Sequence, residues 1–590
     1  MKARVPVIVK DPVVAQYKEI EPTESLLVEE DVFLDGPVSP RVAVLDFDPA
    51  TGGLAPRVPF QMPQSPHTEG TYLAPPIVLG GLVDPAATAV SVFGAVHKTM
   101  RMFEEADALG RRVSWAFDAP QLLVVPRAGE WANAYYERES HGLQFFSFTP
   151  ANGPTIHTAH SQDIVAHETA HALLDGIAPD LYGSVTPQAL AIHEAVADLA
   201  ALLCSFRCRE LAQAVLARTG GLIAKSSVFS GLAEQFGSAL HEYPSQLRDL
   251  NNDKSLRFDA APQNRVSRSE PHALSEVLSG AFYRVLLRMY DELRKQFAAG
   301  DVVDEAVIAA AESSYVQERV DRRLGPKKTA GDLGKWAKAL FVAGERLKRT
   351  LLRGLDYLPP GDVGFADLAR AVIASDQASH PDSGQQREWL REEFVRRGIV
   401  ASRAELEVQT NVHHDAVAAL DLAALVRSDY AAYDFANRNR ALLGIPEGVT
   451  FEVRPRLDVT KLYWHRDDEK REVRECLLKV AWSEVESSPA ADGLPPQRRV
   501  LAGTTLAIEW TDPPLVRAVL TTQRHASDRQ DTDDLILRLL ADDTLKLDGD
   551  ADSPMGGTLR GVVAAEVSNG VLRVRNAGRT LHVTRRAGHG

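Results

Sequence analysis

Three cysteines in 590 residues, Cys204, Cys208 and Cys476, are too few and too scattered for a disulfide framework. The first two stand one helical turn apart, a spacing that suits burial as small apolar groups. No signal peptide is expected either: MKARVPVIVKDPVVAQYKEIEP starts basic but never becomes a continuous apolar run. No stretch of 18 apolar residues follows, so no membrane span is expected. Positive charge is also short. The 66 Lys and Arg residues face 80 Asp and Glu, a formal net charge of −14, and no basic stripe stands out. Phosphate binding needs concentrated cations, which argues against a nucleic-acid partner. The expected location is the cytoplasm, or outside the cell by a route without an N-terminal signal.

The rest is the balance of an ordinary globular protein, 45% hydrophobic and 25% charged. The length exceeds one hydrophobic core, so several packed units are expected. Residues 1–80 mix short β-type runs (Val5 to Val9, Arg41 to Phe47) with Pro and Gly, and lead into a larger unit. Helical spacing covers Ala86 to Leu109. Two β-type runs follow, Gln121 to Val125 and Leu143 to Phe148. HSQDIVAHETAHALL reads as a helix stopping at Asp175-Gly176, so 81–180 forms one unit with that helix. Residues 181–400 are mainly helical, and 401–444 form a helical connector. From 445 to 590 the alternation of VTFEVRP, VLAGTTLAIEW and RGVVAAEVSNGVLRVRN predicts a β-rich domain.

One pattern carries chemistry. His167-Glu168-Thr169-Ala170-His171 lies in a helical segment, where residues i and i+4 project one above the other. Both imidazoles can then reach one ion, with Glu168 placed to take a proton from water. Glu194 follows His171 by 23 residues on the next helical segment and completes a His-His-Glu set. Asp198, one turn on, is positioned to accept a hydrogen bond from a ligating imidazole. Two neutral imidazoles and one carboxylate leave a divalent zinc ion at net +1 with a free position, the balance of a catalytic site.

At these residues the chain resembles the thermolysin-like neutral metallopeptidases, which carry HExxH on one helix and ExxxD on the next. The likeness covers roughly residues 40–400. It implies an α+β fold of two lobes, a β-rich N-lobe and a mainly helical C-lobe, followed here by the small β-rich C-terminal domain. It implies one catalytic zinc and a peptide or protein substrate. By the same resemblance Asn133 and Ala134, before the strand-like GLQFFSF, bind substrate from an edge strand. Gln246-Leu247-Arg248-Asp249-Leu250 matches a segment in which Leu247 lines the pocket for the residue after the cut and Arg248 bonds a substrate carbonyl. EPHALSEVLSGAFYRVL makes His272 the transition-state histidine, and Tyr182 the phenol that assists it.

The chain also departs from that pattern. The family has an Asp five residues before the transition-state histidine; here Ser267 stands there, with Glu270 as a substitute. Asp163 matches a calcium ligand, but its partner carboxylate is replaced by Ser205, so a paired calcium site is not expected. DGDAD at 548–552 has Leu559 where a calcium loop needs Glu, and reads as an acidic solvated loop. The expected activity is zinc-dependent endopeptidase, with Glu168 as general base. The alternative is a zinc-binding scaffold that is silent, or latent because residues 1–40 or the C-terminal domain block the cleft. The C-terminal domain is assigned, by analogy, a role in binding another protein.

Overall fold

The N-terminus becomes a strand because its apolar residues alternate. In β1 (Lys2–Ile8), Ala3, Val5 and Val7 are buried on one face. β1 pairs antiparallel with β2 (Thr23–Glu29). In a computed structural model of the chain, the described residues are 1–13, 20–48, 51–65, 67–78, 84–151, 153–233, 235, 237, 248–298, 332–381, 384–464, 470–491, 494–542, 545–548 and 563–576. β4 (Phe60–Gln61) and β5 (Gly70–Tyr72) complete this first sheet in the order β2-β1-β5-β4. A second sheet joins β3 (Val42–Val44), β6 (Leu122–Val125), β8 (Gly142–Phe145) and β7 (Ala134–Glu137), with β7 at its edge.

α1 (Pro85–Glu104) starts where the Asp84 carboxylate accepts from the Ala86 and Ala87 amides, with Pro85 in its first turn. It lies directly on β1. A Cβ at Gly94 would stand 2.5 Å from Val7 Cγ2, so only glycine permits that approach. The helix ends five residues short of the expected Leu109. Glu105 turns extended, and its carboxylate meets Arg207 and Lys348 at 2.6 Å in a buried ion cluster.

α2 (Gln162–Ile177) runs through Asp175-Gly176, the expected stop. A Cβ at Gly176 would lie 2.1 Å from the Ser114 carbonyl, so this glycine serves close packing rather than termination. The Asp175 carboxylate is held by Arg138 and the Tyr136 hydroxyl. A short α3 (Pro179–Gly183) leads into α4 (Pro187–Phe206), whose Thr186 cap accepts from the Ala189 amide. Among the described helices, α4 alone is long and apolar enough to cross a membrane. Its apolar window is 94% buried in protein, and it carries Glu194 and Asp198. Cys204 and Cys208 are both buried but do not share a helix, because α4 ends at Phe206 and Cys208 caps the next one.

Helices Pro271–Ala298 and Asp332–Tyr357 pack around α4, and Phe365–Ser379 and Gln385–Arg396 pack on these. The C-terminal strands dock on that helical body through a nine-stranded sheet, which also takes in Thr410–Val412 from the connector. Alternation along Lys470–Ser487 sends Leu477 into the main core. Cys476 and Leu478 go to a second core, with Leu422, Leu425 and Phe435 of the connector helices. Asp356 receives buried Lys461 at 2.9 Å, and Tyr357 donates to Glu475 at 3.0 Å, tying sheet to helix. The acidic run from Asp528 belongs to a helix, Ala526–Ala541, up to Ala541, and residues 549–552 of DGDAD lie outside the described set. The fold is mixed α and β, as expected.

Candidate metal centre

α2 and α4 pack side by side in the core, and this pairing brings together the ligands read from the sequence. His167 Nε2 and His171 Nε2 are 3.0 Å apart. Glu194 presents Oε2 at 3.6 Å to the first and Oε1 at 3.7 Å to the second. All three side chains are buried, and their ligand atoms lie within 4.8 Å of one another, close enough to hold a metal ion. Two nitrogens and a carboxylate form a donor set suited to a divalent transition ion.

The outer ring nitrogens fix how the imidazoles face. His167 Nδ1 stands 3.0 Å from Asp198 Oδ1, the contact expected from the ExxxD spacing. His171 Nδ1 stands 3.1 Å from His193 Nδ1, a partner the sequence reading missed. The signal was available: His193 directly precedes Glu194 on α4. Burial, more than any neighbouring charge, pushes the His193 imidazole down to about 3, which keeps it neutral and able to accept.

Arg248 also makes contacts that the sequence reading did not anticipate. Its guanidinium lies 3.2 Å from Glu194 Oε2 and 2.9 Å from Asp198 Oδ1, bridging the third ligand and the carboxylate behind the first. Burial works against that cation, but Asp198 and Glu194 outweigh it and hold it above its ordinary range. His272 comes to the same place from the start of the helix Pro271–Ala298, its Nε2 3.8 Å from Glu194 Oε2. Behind it, Nδ1 meets Glu270 Oε1 at 3.1 Å, the carboxylate expected from the sequence to back this ring. Burial raises the Glu270 carboxyl, but the hydrogen bond and charge of His272 prevail and leave it below the usual range.

Glu168 is buried, and its Oε2 accepts the Tyr136 amide of edge strand β7 at 2.9 Å. Just before that strand, Asn133 is fully buried; its Oδ1 accepts the Ala134 amide, and its Nδ2 has no hydrogen-bond partner among the described residues. A recess of about 30 Å³ opens between these groups. Its wall includes Asn133, Ala134, Ile164, Glu168, Leu232 and Arg248, so most of the expected substrate-binding residues meet there. Leu247 lies outside the described residues.

Tyr182 packs in the layer behind the candidate ligands. Its ring packs edge-on to His193 at 5.6 Å and under the Arg138 guanidinium at 4.4 Å. Burial, aided by the Asp175 charge, raises its phenol, and the Arg138 main chain hydrogen-bonds it. Asp163 is taken up by an internal cation, the Lys10 ammonium, at 2.5 Å, and Ser205 donates to its other oxygen at 3.1 Å.

No protein-family model matches this chain, and no curated protein matches it.

Proposed function

We propose that the chain is a zinc-dependent endopeptidase of the thermolysin-like kind. The observation that carries the reading is the buried His167, His171, Glu194 cluster with Glu168 and an apolar recess beside it. A zinc ion held by those three residues would supply Lewis-acid polarisation of a carbonyl and acidify water.

The chain's own groups do the remaining work. Glu168 takes the proton from the attacking water and returns it to the leaving amine, as base and then acid. The Tyr136 amide fixes one oxygen of that carboxylate. His272 Nε2 donates to the oxyanion as the carbonyl becomes tetrahedral, and Glu270 on Nδ1 keeps the ring turned toward it. Strand β7 offers its open edge to an extended substrate, and the unpartnered Asn133 amide donates to a substrate carbonyl. Arg248 stiffens Glu194 and Asp198. The apolar wall beside Ile164 and Leu232 favours an apolar residue after the cut.

The test is metal analysis of wild type and Glu168→Gln together with cleavage of denatured casein. One equivalent of zinc in both, with cleavage lost by roughly 10²–10⁴-fold in the variant, is the expected result. Zinc in both with equal cleavage overturns the role of Glu168, and absence of zinc in both overturns the reading itself.

A further inference from the structure

Lysine is seldom fully buried, and residues with a side chain seldom adopt positive φ. Lys10 does both, with 1% exposure and φ of +54°. Its contacts account for this. The ammonium donates to Asp163 Oδ2 at 2.5 Å and to the Gly231 carbonyl at 2.9 Å. The Lys10 carbonyl accepts the Asp163 amide at 3.2 Å, one of the donors that the first turn of α2 cannot satisfy within the helix.

Asp163 collects further partners around the same point. Ser205 of α4 donates to Oδ1 at 3.1 Å, and the Ala233 amide approaches Oδ2 at 3.4 Å. The neighbouring Asp11 accepts the Gln235 amide at 3.2 Å. One buried ion pair therefore joins the end of the N-terminal strand, the metal-binding helix α2, the third-ligand helix α4 and the segment 231–233. Asp163, Ala201, Leu232 and Ala233 from these pieces also wall the recess beside the metal centre.

We propose that Lys10 is a positioning residue for this recess, holding the 231–233 segment against α2 and so setting the size of apolar side chain the recess accepts. A volume of about 30 Å³ is room for roughly one or two waters by that measure. A space that small favours an aliphatic side chain over an aromatic ring while the wall stays in place. Lys10 thus braces the pocket wall from behind. Naming the guest as the residue after the scissile bond rests on the peptidase reading; the packing of the wall does not.

The test compares full-length wild type, Lys10→Arg and the double variant Lys10→Met with Asp163→Asn. The double variant removes both charges of the pair together, so Asp163 is not left as a buried carboxylate facing a missing cation. Metal content and melting temperature are measured first. Matched peptides with Ala, Leu or Phe after the cut are then assayed, alongside calorimetric binding of peptide hydroxamates bearing the same three side chains. The double variant is expected to keep its metal and to shift the Leu-to-Phe preference toward Phe by roughly tenfold, through KM and hydroxamate Kd rather than kcat. Lys10→Arg, which keeps the cation, is expected to hold the wild-type preference. A folded, metal-loaded double variant with unchanged preference overturns the role of Lys10, as does an Arg variant that shifts as far. If wild type binds metal and hydroxamates but cleaves nothing, the peptidase reading fails, and the hydroxamate ratios still decide the role of Lys10.

Discussion

His272 is backed by Glu270, with Nδ1 3.1 Å from Oε1, although only one residue separates them in the chain. The Glu270 carboxylate also accepts the His272 and Ala273 amides, so it caps the helix that carries the imidazole. One side chain thus orients the ring and starts the helix.

Glu270→Gln keeps the cap's size but loses the charge behind the imidazole. Turnover is expected to fall by roughly 10- to 100-fold with metal content unchanged. His272→Ala is expected to cost about 10²–10³-fold, the usual loss of one oxyanion donor. Steady-state kinetics of both variants beside metal analysis check this; equal, small losses would remove His272 from the reaction.

His193→Leu removes the acceptor for His171 Nδ1. Metal affinity is expected to drop about 10- to 100-fold, as for other groups that orient a ligating histidine. His193→Asn, which keeps an acceptor, is expected to lose less. Competition against a chelator of known affinity measures both, and identical affinities would show that the contact contributes nothing.

Gly176→Ala places a methyl 2.1 Å from the Ser114 carbonyl. Backbone cannot yield there as a side-chain tip can, so destabilisation of about 1–3 kcal/mol or more is expected. Urea unfolding followed by circular dichroism reads it. An unchanged midpoint would mean that α2 shifts freely over that loop.

Asp356→Asn tests the join between the helical body and the C-terminal sheet. Burial raises the Asp356 carboxyl, but Arg111 and Lys461 outweigh it and set it below its usual 3.8. A carboxylate depressed in the folded state adds stability that is fully present above its unfolded pKa and is lost as pH falls through the folded one. The variant should therefore be less stable at pH 7, by about 3–5 kcal/mol for breaking a buried pair. The gap to wild type should narrow below pH 3.8. Melting temperatures at pH 7 and pH 3 test the sign; a gap that widens in acid would contradict it.

Helical periodicity and the i, i+4 rule identified His167, Glu168 and His171 from the sequence, because those relations are local and follow from 3.6 residues per turn. Glu194 and Asp198 were legible for the same reason once a second helix was recognised. The strand character of residues after 445 followed from alternation. The Asp175-Gly176 stop misled, since a glycine near a helix end and a glycine under a crossing backbone look alike in one dimension. Partners far apart in the chain stayed hidden. Lys10 meets Asp163 across 153 positions, Arg248 meets Glu194 across 54, and Lys461 meets Asp356 only after the sheet docks. Such pairs depend on which buried charge has no other route to compensation, and burial is set by the packed whole. The sequence alone determined the candidate ligand set and the helices that present it. The tertiary structure decided what stands behind each ligand, where the recess ends and how the C-terminal strands attach.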